Sequence, residues 1–118
     1  MRVIIAGSRT ITDYTTLELA IINSGFTITE VVSGTARGVD QLGEFWAKCN
    51  NIPVKQFHAD WKGKYGKSAG MMRNNQMAEY ADALIALWDG KSRGTEHMIR
   101  KARSLRRHVY VMEVPCAD

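Results

Sequence analysis

Every apolar, β-branched run in this chain stops at a turn of small or polar residues, and in most cases a helical pattern follows at once. The clearest instance is Val31-Val32-Ser33-Gly34-Thr35-Ala36-Arg37-Gly38-Val39-Asp40, where a strand pattern gives way to an amphipathic helix across a Gly-containing turn. Parallel strands cannot be joined by a tight hairpin, so each needs a crossover, usually a helix. A chain that alternates the two patterns along its whole length therefore has few folds open to it.

Arg2 to Ala6 reads as a buried strand. Asp13 can cap a helix running to about Asn23, with Leu17, Ala20, Ile21 and Ser24 on one face and Ser24-Gly25 ending it. Thr27 to Val32 is a second strand. Ala36 to Lys48 is a second helix whose inward positions are Val39, Leu42, Phe45, Trp46 and Cys49. Pro53 to Phe57 is a short third strand, and His58 to Lys67 is an irregular, polar loop. Ser68 to Tyr80 reads as the third helix and Ala83 to Trp88 as a strongly apolar fourth strand. Thr95 to Arg107 is the fourth helix, with Met98, Ile99, Ala102 and Leu105 as its stripe, and Val109 to Val114 is the last strand.

Five strands alternating with four helices predict an α/β, Rossmann-like three-layer sandwich with a mainly parallel five-stranded sheet. The 118 residues, 45% of them hydrophobic, suit a single domain over 1–118 with a core of its own. No apolar run reaches the length of a transmembrane helix, and the start is too short and β-branched for a signal peptide. No membrane partner and a cytoplasmic location are therefore expected. Sixteen Lys and Arg against 12 Asp and Glu leave a formal charge of +4. That favours anionic partners, and it equally suits an ordinary soluble surface. Cys49 and Cys116 lack metal-site or redox spacing. His58, His97 and His108 share no ligand spacing, so no metal and no cofactor are expected.

In a parallel sheet, ligands bind beyond the carboxyl ends of the strands. Three Gly turns fall there. Gly7-Ser8-Arg9 offers close backbone approach, a hydroxyl and a planar cation; as a plain turn it would leave Arg9 in solvent. Ser33-Gly34-Thr35-Ala36-Arg37-Gly38 leads to Asp40 in a first helical turn, where a carboxylate suits either the helix dipole or a ribose or base donor. Asp89-Gly90-Lys91-Ser92-Arg93-Gly94-Thr95 opens the fourth helix, with Asp89 and Glu96 as candidate carboxylates, although Asp-Gly is also a common turn pair. Backbone N–H groups at three such helix starts, with the dipole behind them, make a phosphate site. The G-x-G-x-x-G dinucleotide pattern is absent. Gly66-Lys67-Ser68 is no P-loop, because the required Gly is replaced by Trp61.

Lys67 and Arg73 add cations near the same end, or belong to a solvated face. Arg100, Lys101, Arg103, Arg106 and Arg107 form a basic face on the fourth helix that suits solvent or a nucleic-acid backbone. Trp46 lies on an apolar helix face, Trp88 ends a strand, and Trp61, in the loop, is the better base-stacking candidate.

Through Gly7-Ser8-Arg9, Ser33 to Asp40, Ala59-Asp60-Trp61, Gly66-Lys67-x-Ala69-Gly70-x-x-Arg73-Asn74 and Trp88 to Thr95, the chain resembles the SLOG superfamily, which unites DprA-type and LOG-type proteins. It is most similar to the small YspA-like group of bacterial and phage proteins. The resemblance implies a nucleotide or nucleotide-derived ligand, ADP-ribose-like or a nucleoside phosphate, held for sensing or sequestering. Its ligand-binding residues would be Gly7, Ser8, Arg9, Ser33, Gly34, Thr35, Arg37, Gly38, Asp40, Trp61, Lys67, Arg73, Asp89, Gly90, Ser92, Gly94 and Thr95. A LOG-like phosphoribohydrolase is an alternative, with Glu96, Asp89 and Arg73 as its catalytic set. The LOG pattern P-G-G-x-G-T-x-x-E is matched at Gly94-Thr95 but has Met98 at its Glu position. A DprA-like DNA-binding domain is the other alternative. The resemblance also implies self-association into a homo-oligomer.

Overall fold

The computed structural model describes residues 1–64 and 66–115; Tyr65, in the loop read from sequence, and Cys116 lie outside the described residues. The strands are β1 (Arg2–Gly7), β2 (Glu30–Ser33), β3 (Val54–Gln56), β4 (Ala83–Trp88) and β5 (His108–Glu113). The helices are α1 (Tyr14–Ser24), α2 (Val39–Cys49), α3 (Ala69–Tyr80) and α4 (Arg93–Ser104), with one turn of 3-10 helix at Gly66–Ser68. All four strand pairings are parallel, in the order β3-β2-β1-β4-β5. This is the α/β, Rossmann-like arrangement that the alternation predicts.

Successive side chains of a strand point to opposite faces, and β1 divides accordingly. Val3 and Ile5 join Leu17 and Ala20 of α1 and Val39 and Ala47 of α2 in one core. Ile4 and Ala6 join Met77 and Ala78 of α3 and Met98, Ile99 and Ala102 of α4 in the other. β1 and β4 are covered on both faces, which explains their unbroken apolar sequences. Each fully buried Leu or Ile there contributes about 1.5–3 kcal/mol. No helix among the described residues is long and apolar enough to cross a membrane.

The elements differ from the sequence reading at a few edges. β2 starts at Glu30 rather than Thr27, because its register begins with Arg2 opposite Glu30. α2 starts at Val39 rather than Ala36, since Gly38 takes φ +75° and breaks any helix running through it. α4 starts earlier, at Arg93, and stops at Ser104; Arg106, at φ +58°, turns the chain toward β5. Asp13 caps α1 as read, accepting from the Thr15 amide at 3.2 Å, and Gly25 closes it in the left-handed conformation.

One packing expectation fails. Phe45 and Cys49 were expected to face inward from α2, yet both are exposed. Gly43 occupies the inward face instead, so close to β1 that a Cβ there would lie 2.7 Å from Ile5 Cγ2. The helix sits on the sheet through Gly43 and Ala47, and that rotation carries Phe45 outward. Its ring meets Tyr14 edge to face at 5.3 Å.

Candidate functional site

β1 and β4 are adjacent, but their following helices lie on opposite faces of the sheet. The chain therefore parts at their carboxyl ends, and a cleft of about 360 Å³ opens there. Its walls come from three segments far apart in sequence: the β1 turn, the start of α2, and the start of α4, with α3 closing the fourth side.

Glycines bring these segments together. A Cβ on Gly7 would fall onto the Leu87 carbonyl oxygen, so β1 and β4 approach closely only because that position is bare. Gly38 has φ +75°, and a Cβ there would lie 2.8 Å from the Ser8 carbonyl oxygen and 2.7 Å from that of Arg9. The second turn is thus locked against the first. Gly94 is the opposite case, because a Cβ there would meet nothing within 4 Å. Packing does not require glycine at that position, and its bare backbone faces open space.

Three helices enter this end of the sheet without a side-chain cap: α2 at Gly38, α3 at Ser68 and α4 at Ser92. Their first-turn N–H groups keep the partial positive charge of a helix start. By contrast, α1 is capped by Asp13.

Arg73 is the central cation. It projects from α3, and its Nη1 donates to the Gly34 carbonyl at 2.8 Å. Its Nε is buried and, among the described residues, is the one buried side-chain nitrogen or oxygen with no partner. Burial lowers the Arg73 pKa, and Asp40 partly opposes that shift. Asp40, 5% exposed, accepts from the Ala36 amide at 3.1 Å. Burial pushes its carboxyl up to about 6, against the lowering effect of the Ala36 hydrogen bond and of Arg73. A Cβ on Gly34 would lie 2.9 Å from Asp40 Oδ2 and 3.1 Å from Arg73 Nε, so these three residues form one packed unit.

The cleft gathers Gly7, Ser8, Arg9, Asp40, Arg73, Asp89, Ser92, Gly94 and Thr95 from the sequence-read set. Several of these have structural partners. Ser8 is buried, and its Oγ accepts from the Asp89 amide at 3.2 Å. Asp89 Oδ1 accepts from the Lys91 and Ser92 amides at 2.8 and 2.7 Å, which makes it the organiser of its own turn. Ser92 and Thr95 hydroxyls lie 3.2 Å apart.

The other candidates stand elsewhere. Ser33 is buried, donates to Glu44 at 2.5 Å and accepts from the Thr35 amide at 3.1 Å. Gly34, Thr35 and Arg37 border an adjoining cavity with His58. Gly90 is exposed at φ +82°, beside Glu113 rather than in the cleft. Trp61, Lys67 and Glu96 border a second adjoining cavity, and Glu96 pairs with Arg100 at 2.6 Å.

Sequence reasoning missed Asn74 and His97 as site residues. Asn74 is buried on α3, and its Nδ2 reaches the Gly94 carbonyl at 3.2 Å and His97 Nδ1 at 3.1 Å. The signal was a polar residue on the helix face that also carries Met77 and Ala78. Burial lowers the His97 pKa, with Lys101 adding to it. Among the described residues, no three His, Cys, Asp or Glu side chains converge to hold a metal ion.

Residues 1–63 match the sequence profile of the YAcAr family, described as the YspA, cpYpsA-related SLOG family. The Gene 61 protein of Mycobacterium phage D29 is 37% identical over 112 residues, covering 86% of this chain and 88% of that protein. Among solved structures, DNA processing protein A (DprA) from Streptococcus pneumoniae superposes with a TM-score of 0.77 at 18% identity. The match covers 99% of this chain and 52% of that one, so this chain spans about half the length of that neighbour.

Proposed function

The chain belongs to the YspA, cpYpsA-related SLOG family, and from that premise and the cleft geometry we propose that it binds a nucleotide or nucleotide-derived ligand, either ADP-ribose-like or a nucleoside phosphate, as a sensor or sequestering protein. The observation that carries this reading is Arg73. Its half-buried guanidinium lines the cleft with Nη1 held by the Gly34 carbonyl, a fixed planar cation of the kind that pairs with a phosphate or carboxylate oxygen. The uncapped starts of α2 and α4 and the exposed Arg9 supply further positive charge around it. Asp40 offers an acceptor for a ribose hydroxyl in the same packed unit.

Hydrolysis has less support from the side chains. A phosphoribohydrolase would need a carboxylate free to stabilise an oxocarbenium-like state or activate water. Asp89 Oδ1 is bonded to two amides of its turn, and Glu96 is paired with Arg100 outside the strand-end cleft. The DNA reading draws on Arg100, Lys101, Arg103, Arg106 and Arg107, but α4 ends at Ser104, so Arg106 and Arg107 lie beyond it and the five do not form one helix face. Two of them have internal partners: Arg107 donates to the Ala78 and Glu79 carbonyls at 2.9 and 3.0 Å, and Arg100 pairs with Glu96.

The test is a thermal-shift series with nucleoside mono-, di- and triphosphates, NAD, ADP-ribose and its cyclic forms, followed by chromatography of each mixture. A ligand of the native state present at 100 times its Kd stabilises it by about 2.7 kcal/mol. A shift with the ligand recovered intact supports binding. A released base supports the hydrolase. No shift with any of these, together with DNA affinity that falls steeply with salt, supports the nucleic-acid reading.

A further inference from the structure

The strand-end cleft is rich in hydrogen-bonding groups, but among the described residues no aromatic side chain lines it. A phosphoribose fits that chemistry; a nucleobase finds no ring there to stack on. The adjoining cavity between the start of α3 and the first turns of α4, about 490 Å³, does have one. It shares Arg9, Arg73, Asn74 and Gly94 with the cleft, so one ligand can reach both.

We propose that this second cavity is a base-stacking subsite, in which Trp61 covers one face of a nucleobase while its phosphoribose lies in the strand-end cleft. The inference rests on the phosphoribose reading of the cleft and adds to it where the base goes. Trp61 is 52% exposed, yet its ring is held: a Cβ on Gly70 would lie 2.9 Å from Cη2 and 3.6 Å from Cζ2. Gly70 therefore lets the indole lie against the first turn of α3, with the rest of the ring open. A supported, half-open indole is a stacking platform, and tryptophan has the strongest π-face among side chains. Gly94, with open space above it, leaves the passage between cleft and cavity clear.

His97, in the same lining, offers a directional contact. Asn74 Nδ2 lies 3.1 Å from His97 Nδ1, so the ring accepts there and carries its proton on Nε2. Burial lowers the His97 pKa and so favours the neutral ring, in which one nitrogen can accept. An Nε2–H donor on a residue that lines the same cavity as Trp61 selects a base with a ring nitrogen or carbonyl acceptor.

Adenosine monophosphate and ribose 5-phosphate separate the two parts of the site. Calorimetry on the full chain, its Trp61→Ala and its Trp61→Phe variants is read beside tryptophan emission, with circular dichroism confirming the fold of each variant. Loss of base stacking should weaken adenosine monophosphate about tenfold or more in Trp61→Ala. Ribose 5-phosphate affinity should stay within about twofold, and Trp61→Phe should restore most of the loss. Nucleotide should quench emission of the native chain and leave that of Trp61→Phe unquenched. Nucleotide affinity indifferent to Trp61, or both compounds weakened equally, would overturn the subsite and leave the cleft reading standing. If neither compound binds the native chain, the cleft reading fails and the subsite with it.

Discussion

Arg73 Nη1 donates to the Gly34 carbonyl at 2.8 Å, across 39 residues of sequence, and so ties α3 to the turn that follows β2. The bond holds the guanidinium against Gly34 in the cleft wall, where, among the described residues, Nε has no hydrogen-bond partner. Arg73 thereby has two separable roles, as a brace between elements and as a ligand donor.

Arg73→Lys should separate them. A lysine keeps the positive charge but loses the planar fork, so it cannot hold Gly34 and present a second fixed donor at once. Losing a hydrogen bond from a charged donor costs about 1.5–3 kcal/mol, and water entering the cleft offsets part of it. We expect a stability loss of about 1 kcal/mol by urea denaturation, with ligand affinity falling about tenfold or more. A variant that loses stability while keeping full affinity would restrict Arg73 to the brace.

The glycines give a contrasting pair. Gly38→Ala forces an L residue into φ +75° and drives its Cβ against two carbonyl oxygens at 2.7 and 2.8 Å. The left-handed conformation alone costs about 1–2 kcal/mol, and the clash adds to it. A loss of at least about 2 kcal/mol is expected, visible as a lower urea midpoint. Gly94→Ala meets open space on a helix, where alanine is favoured by up to about 1 kcal/mol. That variant should be as stable as the native chain or more so, while binding weakens because the methyl group stands where the ligand passes. Undiminished affinity in Gly94→Ala would move the ligand away from the start of α4.

Much of this arrangement is legible in the sequence. β4 matches its apolar run residue for residue, because a strand buried on both faces has no polar position to blur its ends. Asp13 and Gly25 bracket α1 through local chemistry alone. What escapes sequence reading depends on long-range approach. Gly43 looks like a weak helix position, yet its contact with Ile5 sets the rotation of α2 and exposes Phe45. The pairing of Asn74 with Gly94 and His97 spans at least 20 residues, so no local pattern announces it. Asp89 reads as a candidate carboxylate in sequence, and only the positions of the Lys91 and Ser92 amides show its part in the turn.

Asp40 predicts a pH dependence with a definite sign. Its carboxyl is raised from 3.8 to about 6, chiefly by burial, so the folded chain favours the protonated form more than the unfolded chain does. The stability this confers is full below pH 3.8 and is lost as pH rises through 6. At 1.36 kcal/mol per unit, the loss by pH 8 is roughly 3 kcal/mol. Asp40→Asn keeps an acceptor for the Ala36 amide and removes the buried charge. It should match the native chain near pH 3.5 and exceed it by up to roughly 3 kcal/mol at pH 8, in denaturation at the two pH values. Equal stability at both would mean that the carboxylate is well compensated in the fold.

The carboxylates distinguish binding from hydrolysis. Glu96 and Arg100 form a surface pair four residues apart on α4, an interaction worth about 0.3–0.5 kcal/mol. Glu96→Gln should therefore change stability by no more than about 0.5 kcal/mol. Asp89→Ala leaves the Lys91 and Ser92 amides without their acceptor and should cost about 1–2 kcal/mol, as loss of a side-chain cap does. Asp89→Asn keeps the acceptor oxygen and should recover most of that. In a binding protein, none of these variants changes the chemical state of bound nucleotide, and chromatography recovers it intact from each, as from the native chain. If the native chain instead releases free base, and Glu96→Gln or Asp89→Asn abolishes that release without lowering affinity, the protein is a hydrolase and the altered carboxylate is the group that acts, Asp89 from the cleft or Glu96 from the adjoining cavity.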